Sequence, residues 1–264
     1  MSENKENSIL AAENLTIGYH SKNGDKIVSN NLNFQLAPGK LIGLVGANGI
    51  GKSTLIRTLS NMQAPLSGKV LLNGQSIESF DLTDLAQEIS LVLTEPLSTK
   101  NLSIQELVAL GRHPYTNWIG TLNKTDQLEV EKAMELMNLI HLKDRKCYEL
   151  SDGQLQKALI ARALAQDTKM IILDEPTTHL DMYHKAYLLK LLKDLTLETG
   201  KTILFSSHEI DLAIQLCDTM LVMTSDTVYC DHPCLLIEQN VFETLFPKDL
   251  ITFDRESGSF KINK

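Results

Sequence analysis

The sequence predicts an α/β fold: a mainly parallel sheet carrying a phosphate-binding loop, with an N-terminal antiparallel β part and a helical block inserted in the middle. Three observations lead there. Short apolar runs, LIGLV at 41–45, MIILD at 170–174, TILFSS at 202–207 and TMLVM at 219–223, alternate with helical patterns, as strands do when helices cover both faces of a parallel sheet. A glycine-rich loop, GANGIGKS at 46–53, stands between such a run and a helical pattern, the context that a phosphate loop requires. From about 81 to 167 the pattern is mostly helical, apart from SLVL at 90–93.

Taken in order, residues 9–19 and 26–36 read as strands joined by a turn at Asn23-Gly24-Asp25, and Pro38-Gly39 punctuates before the run at 41–45. GKSTLIRTLSNM reads as a helix, and a β segment at 69–77 folds around Asn73-Gly74. Helices are expected at 104–111, 125–139 and 152–165, with a break at GRHPYTNWIG. Gly111, Arg112 and Pro114 make a helix stop there. Beyond the strand at 170–174, helices at 182–198 and 209–217 alternate with the strands at 202–207 and 219–223. The tail ends in a small strand pair around Glu256-Ser257-Gly258. The expected organisation is therefore one catalytic core with its β part (9–80 and 166–225), an inserted helical part (81–165) and a tail (235–264).

At 264 residues the chain buries a full core as one large α/β unit with a subdomain. Its 43% hydrophobic and 22% charged residues describe an ordinary globule. A formal charge of −8 argues against a protein whose main task is coating nucleic acid or anionic lipid. The start, MSENKENS, has neither a basic region nor an apolar one, and no apolar run approaches the roughly 18–20 residues that span a bilayer. A cytoplasmic chain, peripheral on the inner face of the plasma membrane where a partner recruits it, is expected. Four cysteines, at 147, 217, 230 and 234, are too sparse to frame the fold, so reduced thiols are the default. Cys230, Asp231, His232, Pro233 and Cys234 read as a loop with incidental thiols, because a structural metal site needs a further ligand pair.

The loop comprises Gly46, Ala47, Asn48, Gly49, Ile50, Gly51, Lys52 and Ser53, with Thr54 next. Glycines at 46, 49 and 51 let the backbone wrap a polyphosphate with its N–H groups inward. Lys52 brings a compact positive charge to the β- and γ-phosphates, and the Ser53 hydroxyl suits Mg²⁺. Asp174, at the end of a buried strand, is placed to hold magnesium through water, and Glu175 to polarise an attacking water. Alone, an acidic pair there would be a cap or loop. Together the two motifs, 128 residues apart (174 − 46), specify a nucleotide triphosphatase and leave its kind open, since small-molecule kinases and GTPases share them.

ELSDGQLQKALIARAL at 149–164 begins with Ser151 and Gln154 in capping-box spacing, followed by an apolar stripe. By itself this is a well-capped surface helix. Its LSDGQLQ, at 150–156, closely resembles the signature of ATP-binding cassette ATPases, usually LSGGQ, and the resemblance runs from residue 9 to about 223.

That resemblance implies ATP and Mg²⁺ as ligands. It also implies a head-to-tail dimer with a second copy, in which the signature turn of one chain (Ser151, Gly153, Gln154) caps the γ-phosphate of ATP held by the other. Tyr19 matches the aromatic residue that stacks on adenine, Asp181 of THLD the D-loop aspartate, and His208 the switch histidine at the γ-phosphate. Two residues depart from the family pattern. Asp152 stands where glycine is usual, adding a negative charge near the phosphate unless it turns outward. Thr94 stands where glutamine usually touches magnesium, with Glu95 a weaker candidate for that role.

NLSIQELVALGRHPYTNW, at 101–118, resembles the matching stretch in ATPases of iron–siderophore, haem and cobalamin importers. Tyr115 and Trp118 are then expected to form an apolar socket for a coupling helix of transmembrane permease subunits, with a solute-binding protein as an indirect partner. The plain alternative is a helical hairpin turn with buried aromatics. ATP binding would close the dimer and hydrolysis reopen it. Soluble cassette ATPases acting on DNA, ribosomes or iron–sulfur assembly form the competing class, though the long insertions or doubled cassettes common among the first two are absent.

Overall fold

The computed structural model describes residues 8–22, 24–95, 97, 99–118, 120–247 and 249–263. All of MSENKENS but Ser8, and Asn23 of the first expected turn, lie outside the described residues. Strands β1 (Leu10–Tyr19), β2 (Lys26–Leu36) and β3 (Leu41–Gly46) precede helix α1 (Lys52–Leu59), then β4 (Ser67–Leu72) and β5 (Gln75–Ser76). The middle of the chain forms α2 (Leu82–Glu88), β6 (Ile89–Val92), α3 (Ile104–Ala109), α4 (Lys124–Leu136), α5 (Asp152–Ala165) and β7 (Met170–Leu173). After α6 (Met182–Thr199) come β8 (Thr202–Ser206), α7 (Ile210–Leu216), β9 (Thr219–Met223), β10 (Val228–Asp231), α8 (Pro233–Glu238), β11 (Ile251–Asp254) and β12 (Ser259–Ile262). Two compact units result: Met1–Phe80 with Leu189–Lys264, and Asp81–Leu188.

In the first unit, β3 is buried along its whole length. It runs parallel to β8 on one side and to β9 on the other, with Leu41 beside Ile203 and Gly46 beside Met223. A run with no polar residue suits a strand covered on both faces. Strand β10 is antiparallel to β9. The antiparallel sheet β2-β1-β4-β5 is separate. Leu10, Leu15 and Ile17 of β1, with Leu32, Phe34 and Leu36 of β2, are buried, and alternation along the second half of β2 leaves Asn31, Asn33 and Gln35 outward.

In the second unit β6 pairs in parallel with β7, from Ile89 beside Met170 to Val92 beside Leu173. Helix α3 ends at Ala109, two residues before the expected stop, and the chain tightens into a 3₁₀ turn, Leu110–Tyr115, that contains Pro114. Gly111 explains this path: a Cβ there would lie 2.1 Å from the Arg162 carbonyl oxygen of α5. The next residue, Arg112, is buried, with Nε donating to Asp126 Oδ1 at 3.0 Å and Nη1 to the Ala165 carbonyl at 2.8 Å. Thus GR is a crossing point between α5 and the turn, and more than a stop signal.

The Cys230–Cys234 stretch is also not a loop. β10 runs to Asp231, His232 is the N-cap of α8 with Nδ1 accepting the Cys234 N–H at 3.2 Å, and Pro233 opens the helix. Proline at a first helical position gives up an N–H that has no partner in any case. Burial pushes the Cys230 thiol up to about 11, so it is no ready nucleophile.

Candidate functional site

Within the first unit, the loop of residues 46–53 has the geometry that an anion site requires. Gly46 passes close to β9, where a Cβ would sit 2.6 Å from the Met223 carbonyl oxygen. Gly49 adopts φ 75° at the exposed tip, a conformation that side chains resist. Gly51, the N-cap of α1, offers no side chain to the helix end. Lys52 is buried, and its Nζ donates to the carbonyls of Gly46 at 2.9 Å and Ala47 at 3.3 Å and reaches Nδ1 of His208 at 3.4 Å. An ammonium has only donors, so in that contact Nδ1 of His208 is the acceptor. Tyr19 is tied through its hydroxyl to Thr54 Oγ1 at 2.9 Å, with its side chain 44% exposed. Ser53 lies in the first turn of α1, and Asn48 and Ile50 complete the loop.

Within the second unit, the register of β6 and β7 carries Thr94 to Asp174. The Asp174 N–H donates to Val92 O at 2.8 Å, and Thr94 Oγ1 donates to Asp174 Oδ2 at 3.4 Å. Asp174 is buried. Glu175 stands in the left-handed region at φ 49°, a state that costs a non-glycine residue on the order of 1–3 kcal/mol and persists where surroundings enforce it. Thr178 holds it there, donating Oγ1 to Glu175 Oε2 at 3.2 Å and its N–H to the Glu175 carbonyl at 3.2 Å. Thr94, Glu95, Asp152, Asp174, Glu175 and His179 line one cavity of about 350 Å³.

Helix α5 starts as its sequence requires. Ser151 Oγ accepts the Gln154 N–H at 3.3 Å, and Gln154 Oε1 accepts the Ser151 N–H at 3.1 Å. The first turn divides its residues between two faces. Asp152 lines the cavity with Glu175, whereas Ser151, Gly153 and Gln154 line a different groove of about 300 Å³. Asp181 caps α6, its Oδ1 accepting the His184 N–H at 2.9 Å, and His184 lines that second groove.

Just beyond the 3₁₀ turn, Trp118 is 94% exposed, which excludes it from any buried hairpin core, and within the turn Leu110 and Tyr115 are partly exposed. The Arg112 guanidinium lies 3.9 Å from the Tyr115 ring centroid. No helix of the described residues is long and apolar enough to cross a membrane. Nor do the described residues hold a group of three or more His, Cys, Asp or Glu able to bind a metal ion. The Ser53 hydroxyl of the first unit, and the Thr94 hydroxyl and Asp174 carboxylate of the second, are each hard oxygen donors of the kind magnesium takes.

Three functional candidates escaped the sequence reading. Thr178 and His184 each lie three residues from a motif acid, Glu175 and Asp181, and that spacing is the signal that could have found them. Arg112 was noticed only as a helix stop, since its partner lies 14 residues on.

Residues 29–178 match the model of a family described as ABC transporter. The ferric enterobactin transport ATP-binding protein FepC of Escherichia coli (strain K12) is 36% identical, with 92% of this chain and 83% of the relative covered. The iron(3+)-hydroxamate import ATP-binding protein FhuC of Bacillus subtilis (strain 168) is 36% identical, with coverages of 91% and 88%. Among solved structures, cbiO1 from Clostridium perfringens, part of the ABC transporter complex cbiONQ, aligns with TM-score 0.78 at 29% identity, covering 89% of this chain and 92% of that one.

Proposed function

The chain belongs to the ATP-binding cassette transporter family and is an ATPase, and from that premise we propose that it powers import of a ferric chelate or a related metal complex through a membrane permease. The observation that carries the proposal is the outward presentation of Ser151, Gly153 and Gln154 on a groove shared with His184. A signature turn left open in this way needs a second copy to supply the nucleotide. The solute class is supported by the resemblance to the enterobactin and hydroxamate proteins, and the exposed Trp118 with Tyr115 supplies an apolar surface for a permease helix.

In this reading the loop N–H groups and Lys52 hold the ATP phosphates, and Tyr19 offers its ring to adenine. Magnesium, held through Ser53, Asp174 and, by way of water, Thr94, would neutralise charge on the phosphates. Glu175 orients a water for attack on the γ-phosphorus, taking up its proton as the bond to the ADP oxygen breaks. His208, with Nδ1 accepting from Lys52, donates through Nε2–H to a γ-phosphate oxygen as charge develops. The second copy brings Ser151 and the N-terminal end of α5 to the same phosphate. Closure by ATP and reopening after hydrolysis drive the permease.

Glu175→Gln tests the shared site: with ATP it should accumulate as a dimer in light scattering, and a variant that remains monomeric refutes the reading. Co-purification with a membrane permease, followed by ATPase stimulation with a ferric-chelate-loaded binding protein, tests the transport role. Absence of stimulation by any ferric chelate refutes the solute class.

A further inference from the structure

His184 connects the two segments that the dimer reading assigns to the partner's nucleotide. Its Nδ1 lies 2.9 Å from both Asp181 carboxylate oxygens, while its backbone N–H donates to Oδ1 of the same carboxylate. A carboxylate only accepts, so the ring proton is on Nδ1 and Nε2 points to the other side. On that other side is the signature turn: a Cβ built on Gly153 would meet His184 Cδ2 at 3.8 Å and Leu180 Cδ2 at 3.6 Å, both ordinary contact. The ring is also buttressed, with Tyr183 edge-on at 5.4 Å and 89° and stacked in turn on Tyr187 at 6.4 Å and 18°. The side chains of His184 and Asp181 are 56% and 67% exposed. A hydrogen bond this exposed adds little to the stability of the chain alone, and its strength grows only when another surface excludes water from it.

We infer that His184 is a positioning residue that fastens the D-loop carboxylate of Asp181 to the signature turn at Gly153, so that both meet the second copy as one preset surface. The inference rests on the ATP-bridged dimer proposed above. Presetting lowers the ordering cost of association and so acts on dimer affinity, while leaving untouched the nucleotide affinity of the single chain.

The test uses the full chain in the Glu175→Gln background, with dimerisation at saturating ATP measured by light scattering over a dilution series. His184→Ala should weaken the dimer about tenfold, with fluorescent-nucleotide affinity of the dilute monomer and its melting temperature unchanged. His184→Asn, whose amide can donate near the Nδ1 position, should recover most of the loss. His184→Gln, which places its amide near Nε2, should recover less. A parent that fails to dimerise overturns the shared-site reading itself. If the parent dimerises and His184→Ala does so equally well, the positioning role is wrong, as it also is if His184→Ala changes the monomer's melting temperature or nucleotide affinity.

Discussion

Asp126→Ala strikes a deeply buried ion pair of the second unit. The side chains of Arg112 and Asp126 are 6% and 2% exposed, with Nε and Oδ1 3.0 Å apart. Asp126 also accepts the Asn123 N–H at 2.9 Å through Oδ2, completing the capping box at the start of α4. Removing the carboxylate leaves a buried guanidinium with its bond to the Ala165 carbonyl and without its counter-charge. Losing one partner of a buried pair costs about 3–5 kcal/mol, and the lost bond to the cap about 1 kcal/mol more. The sum of about 4–6 kcal/mol is a large part of the roughly 5–15 kcal/mol that holds a domain together. Urea unfolding followed by circular dichroism measures it. The double variant Arg112→Met with Asp126→Leu removes both charges and should recover to within about 2 kcal/mol of the parent. A loss below about 1 kcal/mol in the single variant, or a double variant no more stable than the single, would refute the reasoning. Because Arg112 also stacks on Tyr115, the single variant should lose permease-stimulated turnover before it loses basal ATPase.

Three further outcomes follow from the same structure. Thr94→Val removes the hydroxyl that donates to Asp174 and should raise the Mg²⁺ concentration for half-maximal nucleotide binding by about tenfold; a titration of Thr94→Ser, expected to stay near the parent, is the control. Trp118→Ala should leave the ATPase of the isolated chain unchanged and weaken permease binding by about 30-fold, the loss of one central aromatic anchor. Asp211 has its pKa raised, chiefly by burial, and its Oδ1 has no hydrogen-bond partner among the described residues. The folded chain therefore holds that proton more tightly than the unfolded one, so its contribution is fullest below the unfolded pKa and declines as pH rises through the folded value. Asp211→Asn should thus stabilise at neutral pH, with the gain shrinking on acidification, in melting curves taken across pH.

The phosphate loop was legible because its chemistry is contiguous: the glycines, Lys52 and Ser53 are neighbours in the chain, and a strand before and a helix after them suffice to orient their backbone. The capping box of α5 was legible for the same reason, since Ser151 and Gln154 close on each other within one turn. Element boundaries were harder. The helix expected to reach 111 stops at Ala109 because Gly111 must approach Arg162, and a contact 51 residues away leaves no periodic trace. The Cys230–Cys234 stretch misled because apolar periodicity is too short there, although Pro233 after His232 is a helix-start pattern.

Sequence alone determined that a phosphate-loop pattern stands between a strand and a helix, the alternation of its main strands and helices, and which residue types stand at each motif. Each of those follows from neighbours within a few residues, where backbone sterics and local hydrogen bonds decide. Only the tertiary structure decided how the departures behave: Thr94 is bonded to an aspartate 80 residues away, and Asp152 turns from the groove of Ser151 and Gly153 toward the cavity of Glu175. The direction of a side chain at a helix start depends on which elements flank that helix, and packing between distant segments sets it.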